Sequence, residues 1–167
     1  SEPTSYDHDC TGSVKLTGLT GDTRYVYQVF INDLPQGKVS HFKTLPDSRK
    51  LKNPEFNPQG LFNFSFEIGC CANQNPMHGI GHSLPTYSTM NDLIADKIDF
   101  AIMNGDWLYE ELRDTPPQAW IAANRLDNEV PKVVRQMPTI VGVWENYKLY
   151  MSRGVPLMEW HRNVPSY

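Results

Sequence analysis

The chain has 167 residues, enough for about one domain with a core of its own. Its 40% hydrophobic and 20% charged content is that of a globular protein and excludes wholesale disorder. A formal net charge of −4 excludes the basic footprint of a nucleic-acid-binding surface or a polybasic membrane patch. No apolar run approaches the roughly 18 residues of a transmembrane helix. The opening Ser1-Glu-Pro-Thr4 has neither initiator Met nor a signal-peptide pattern, as expected of a processed chain or a fragment. Three cysteines, two of them adjacent, form no disulfide framework and leave the redox compartment unassigned.

Residues 1–46 read as β structure. Ser13–Thr17 and Arg24–Ile31 alternate polar with apolar side chains around the turn cluster Gly18–Asp22, and the alternation predicts a strand for each. Asn32–Gly37 reads as a loop leading to a third strand, Lys38–Thr44. Three strands are too few for a β-sandwich, which needs about seven, so this piece reads as the back half of such a domain. Residues 47–60, with two prolines, polar filler and no period, read as an interdomain linker.

From residue 61 the pattern changes to β–α–β. A strand is predicted over 62–68, a Gly/His/Asn-rich loop over 69–84, a helix opening at Pro85, and a buried strand over 98–103. That order implies a parallel strand pair with helices packed on the sheet, an α/β arrangement. Residues 112–143 read as loop-rich, Trp144–Ser152 as a helix stopped by Gly154 and Pro156, and Leu157–Arg162 as a second short helix.

Both predicted strands end in a glycine followed by a possible ligand. Phe62–Ile68 runs into Gly69-Cys70-Cys71, and Asp99–Met103 runs into Gly105-Asp106-Trp107-Leu108-Tyr109-Glu110. Ligands and metals collect at the carboxyl ends of strands in α/β sheets, so Cys71, Asp106 and Tyr109 are candidate metal ligands. The competing readings are a turn role for Asp106, a small buried hydrophobe for Cys71 and a packing role for Tyr109. Cys70 reads as structural, in preference to a vicinal disulfide with Cys71, and Glu110 as supporting. His78 and His82 have the i, i+4 spacing of helical ligands, but the glycines between them argue for a polar loop. Asn73 or His78 is placed there as a contact for substrate phosphate. Arg125, Arg135 and Arg153 are possible phosphate ligands that more commonly serve as solvated surface residues.

Taken in order, the half-sandwich, the proline-containing linker, Phe66-Glu-Ile-Gly-Cys-Cys71 and Asn104-Gly-Asp-Trp-Leu-Tyr-Glu110 resemble the PhoD-like alkaline phosphatase/phosphodiesterases of the calcineurin-like metallophosphoesterases. Thr17–Tyr25 through Phe42–Pro46 is similar to the last strands of that family's amino-terminal fibronectin-III-like sandwich, with Tyr25 at its tyrosine corner. The resemblance implies division into a partial sandwich (1–46), a linker (47–60) and the opening βαβ of a truncated metallophosphoesterase sheet (61–167). It implies that Cys71 and Tyr109 ligate Fe(III), that Asp106 bridges to a second divalent metal, Ca by family analogy, and that the substrate is a phosphate monoester or diester. A thiolate and a phenolate are anionic donors suited to a trivalent ion. Trp107 stands where a tyrosine is commoner. By the same resemblance the protein is exported, extracellular or periplasmic, and a piece with half of the ligands is expected to be inactive alone. Oligomeric state is not read from the sequence. Two alternatives remain: a purple-acid-phosphatase-like enzyme, against which Cys71 counts because an aspartate is expected there, and a non-catalytic sandwich-containing binding module.

Overall fold

The computed structural model describes residues 4–72 and 85–167. Strand β1 (Arg24–Ile31) and strand β2 (Leu34–Lys43) form an antiparallel hairpin. Its two-residue turn, Asn32-Asp33, has φ of 49° and 62°. Positive φ at both central positions is the primed-turn geometry that matches strand twist, and Asn and Asp tolerate it. The loop expected over Asn32–Gly37 is therefore mostly strand. Tyr25 stacks on Phe42 with ring centroids 5.5 Å apart, and its hydroxyl accepts a 2.7 Å bond from the Thr20 N–H. A tyrosine bonded back to the backbone a few residues upstream is the geometry expected of Tyr25.

The strand expected over Ser13–Thr17 is not formed: the segment has no ladder partner, and Val14 and Leu16 are exposed. Alternation alone does not make a strand when nothing covers its apolar side. Residues 47–60 hold more structure than a linker. Asp47 caps the short helix α1 (Ser48–Leu51) by accepting from the Arg49 N–H. Asn57 bonds the Leu51 and Leu61 carbonyls and the Leu61 N–H, and Gly60 at φ 71° sits where a Cβ would overlap the Ser48 carbonyl. Side-chain-to-backbone bonding orders this stretch without any apolar period.

Strands β3 (Phe66–Gly69) and β4 (Phe100–Met103) pair in parallel, Phe66 opposite Phe100 and Gly69 opposite Met103, joined across α2 (Pro85–Leu93). The expected β–α–β order is present, with shorter strands than predicted. Residues 165–167 run parallel along the other side of β4, through Ala101 N–H to the Pro165 carbonyl and Met103 N–H to the Tyr167 carbonyl, both 2.8 Å. Helices α3 (Pro117–Ala123) and α4 (Lys132–Gln136) occupy the stretch read as loop. They are too short for a helical period to show, and prolines at their starts mimic loop punctuation. Helix α5 (Ile140–Arg153) begins four residues before the predicted Trp144, and α6 (Val155–Asn163) takes Pro156 into its first turn.

One face of the β3–β4 sheet packs on helices around Tyr87, Ala101, Tyr150, Leu157, Trp160 and Val164. A second core gathers Trp120, Leu126, Val134 and Val141, so α5 contributes to both. The opposite sheet face is an aromatic stack, Phe64–Phe66–Phe100 with Tyr167 edge-on. Ile68 on it is 61% exposed, so β3 and β4 are covered on one side only, not interior on both. The hairpin meets α6 through the Tyr27 hydroxyl, which donates to the Arg162 carbonyl, and a 2.9 Å Lys38–Glu159 ion pair. Among the described residues no helix is long and apolar enough to cross a membrane.

Candidate metal centre

The strand ends deliver the two corners side by side. Past Gly69 and Met103 the chains stay in register: Asn104 N–H donates to the Gly69 carbonyl, Cys71 N–H to the Gly105 carbonyl and Ala72 N–H to the Asp106 carbonyl. Cys71 and Asp106 both adopt left-handed backbone, φ 61° and 49°. Residues with a Cβ occupy that region at a cost, and such residues cluster where function requires a particular side-chain aim.

That backbone aims three side chains at one point. Cys71 Sγ lies 3.5 Å from Asp106 Oδ2, and the Tyr109 hydroxyl donates to the same oxygen at 3.2 Å. Donors sharing one ion at bonds of about 2.0–2.3 Å lie roughly 3–5 Å apart, so the spacing fits a single shared ion. The chemistry also fits: on metallation a thiol, a phenol and a carboxylate become three anions, a set that suits Fe(III). All three side chains are solvent-accessible. Lost hydration, then Cys71 and Asp106, push the Tyr109 phenol up to about 12. The Cys70 thiol first, then lost hydration and Asp106, hold the Cys71 proton above its ordinary range. Among the described residues no three His, Cys, Asp or Glu side chains cluster as a metal site; this cluster depends on the phenol of Tyr109.

Helix α5 holds both corners. The buried Asn146 accepts from the N–H groups of Glu111 and Leu112 at 2.7 and 2.8 Å and donates to the Gly142 carbonyl. One turn on, the Tyr150 hydroxyl donates to the Ala72 carbonyl at 3.2 Å. One turn back, Gly142 sits where a Cβ would overlap the Arg113 carbonyl. Arg153 donates to both oxygens of Glu111 at 3.0 Å, which occupies one of the arginines considered for phosphate. Gly142, Asn146 and Tyr150 share a helix face at four-residue spacing, a signal visible in the sequence and not assigned a role there. Trp107 packs on His161, centroids 4.8 Å apart, and His161 Nδ1 lies 3.0 Å from Ser166 Oγ.

Asp106, Tyr109, Glu110, Arg113, Asn146 and Tyr147 line an open groove beside the cluster. Glu110, read as supporting, pairs with Arg113 at 3.0 Å. Arg113, not singled out in the sequence, brings a cation to the groove. Cys70, read as structural, is exposed, and its sulfur is 3.2 Å from that of Cys71. Asn73, His78 and His82 lie outside the described residues. No family model, curated protein or solved structure matches the chain.

Proposed function

We propose that the chain carries the thiolate–carboxylate–phenolate half of a two-metal phosphoester hydrolase site, of the kind its motifs resemble in PhoD-like alkaline phosphatases and phosphodiesterases. The observation that supports the reading is the meeting of Cys71, Asp106 and Tyr109 at the carboxyl ends of adjacent parallel strands. Cys71 and Tyr109 would hold Fe(III), and Asp106, with its second oxygen, would bridge to a divalent ion, calcium by the same resemblance. What the ions supply when bound is a nucleophilic water at neutral pH and neutralised phosphoryl oxygens.

The chain's own groups have separate tasks. Asp106 would hold the place between the two ions, and the α5 contacts of Asn146 and Tyr150 tie the corners to one helix. Arg113, paired with Glu110 in the groove, would have to release that pair to meet an entering phosphoester. The substrate is a phosphate monoester or diester, and an extracellular or periplasmic location belongs to the same proposal. Three described donors are too few for two ions, so the 167-residue chain is expected to take up ferric iron without turning over phosphate esters.

The test is ferric titration followed by visible absorption, because a ferric–phenolate bond has a charge-transfer band. Wild type is expected to bind about one iron and show the band, Tyr109→Phe to lose the band, and Asp106→Asn to lose most of the binding. No iron uptake by folded wild-type protein would sink the proposal and favour a non-catalytic binding module.

A further inference from the structure

Two thiols on adjacent residues stand at the edge of this cluster. Cys70 and Cys71 are both free and exposed, with their sulfurs 3.2 Å apart. The backbone that places them is tied to the neighbouring corner through Cys71 N–H to Gly105 and Ala72 N–H to Asp106, and to α5 through the Ala72 carbonyl. Cys70 makes no contact with Asp106 or Tyr109 comparable to those of Cys71, so a ligand role leaves its thiol unused.

We infer that Cys70 and Cys71 form a reversible dithiol–disulfide modification site whose oxidant is a small-molecule disulfide such as oxidised glutathione. One sulfur, as thiolate, attacks the glutathione disulfide and releases one glutathione as a thiol. The neighbouring sulfur then attacks the protein sulfur of the mixed disulfide, and the second glutathione leaves as a thiol. The protein loses two electrons and two protons, and the oxidant gains both. Closure is intramolecular between adjacent residues, so the mixed disulfide does not persist when the second sulfur is already beside it.

The geometry also sets the reverse step. Adjacent Cα atoms are about 3.8 Å apart, short of the usual 4.4–6.8 Å span of a disulfide, and bonds closed under such strain are the readily reduced ones. The site is therefore a switch rather than a staple. Its consequence rests on the metal reading above: a Cys71 sulfur bound to Cys70 is no longer an anionic donor, so oxidation removes one of three ligands beside Asp106 and Tyr109.

The experiment uses the full 167-residue chain, wild type and Cys70→Ser, each also in a Cys10→Ser background that removes the third thiol. After oxidised glutathione, wild type is expected to fall from three free thiols to one and to lose about 2 Da on the peptide carrying residues 70 and 71. Cys70→Ser should instead retain a glutathione adduct at Cys71. In the iron titration, oxidised wild type should bind at least about 100-fold more weakly than reduced and recover with dithiothreitol. A stable glutathione adduct on wild type, or three free thiols after treatment, overturns the modification site. Equal iron binding by reduced and oxidised protein overturns its link to the metal. If reduced protein binds no iron, the metal reading fails by itself, and the thiol count and mass still decide the switch.

Discussion

At Asp106 a left-handed backbone, an acidic side chain and two hydrogen-bonded neighbours coincide, and each constrains what can replace it. Asn accepts the same backbone conformation and keeps the bond to Tyr109 while losing the charge. Asp106→Asn should therefore leave the melting temperature nearly unchanged while weakening ferric binding by about 100-fold or more, a split that calorimetry and the visible band together measure. A loss of fold in this variant would mean that Asp106 is a turn residue first. The three cluster residues were legible in the sequence because glycine-terminated strands followed by Cys or Asp form a pattern along the chain. Asn146 was not: a single Asn in a helix reads as surface, and only the fold reveals that it satisfies two loop N–H groups.

Helix α5 carries the next scale, since its single face of Gly142, Asn146 and Tyr150 contacts both loops that bear the cluster. Asn146→Ala orphans two backbone donors and should cost about 2–6 kcal/mol by chemical denaturation, at roughly 1–3 kcal/mol per unsatisfied group. Tyr150→Phe removes one neutral hydrogen bond and should cost about 1 kcal/mol. Its sharper readout is weaker iron binding at unchanged stability under metal-free conditions beyond that loss. Gly142→Ala adds helix propensity yet pushes the Arg113 carbonyl away, so it should destabilise where an exposed helical glycine would not. The helix itself was foreseen over Trp144–Ser152, with Gly154 and Pro156 as its stop, but not its first turn from Ile140. The short helices α3 and α4 were not, because five to seven residues hold too few turns to show a period and their stability comes from burying Trp120 and Val134.

For the molecule as a whole, the parallel pair and its helical cover followed from the β–α–β order, whereas the side of the sheet that the helices take did not. Glu67 faces the helices, where lost hydration raises its carboxyl above the usual range, and the phenylalanines of β3 face outward. Acid stability is set in part by His161, which lies between Trp107 and Ser166 with Nε2 buried and without a partner among the described residues. Burial lowers its pKa below the ordinary 6.5. The unfolded chain therefore binds this proton more readily than the folded one, and stability falls as pH drops through 6.5 toward the folded value. His161→Gln should lose less stability than wild type between pH 7 and 5.5 in matched thermal melts. An equal loss in both proteins would assign the acid sensitivity to other groups.

The strand segments 66–69, 100–103 and 165–167 lie far apart along the chain, whereas the hairpin of β1 and β2 closes over two residues. Closing long loops costs chain entropy before any contact repays it. The hairpin is thus expected to form early and the sheet late. The Cys71–Asp106–Tyr109 cluster, built on the β3 and β4 ends, comes into being only with the last of these steps. Timing then leaves the thiols open: during folding they exist without their carboxylate and phenol neighbours, and an oxidant present at that stage meets a bare pair.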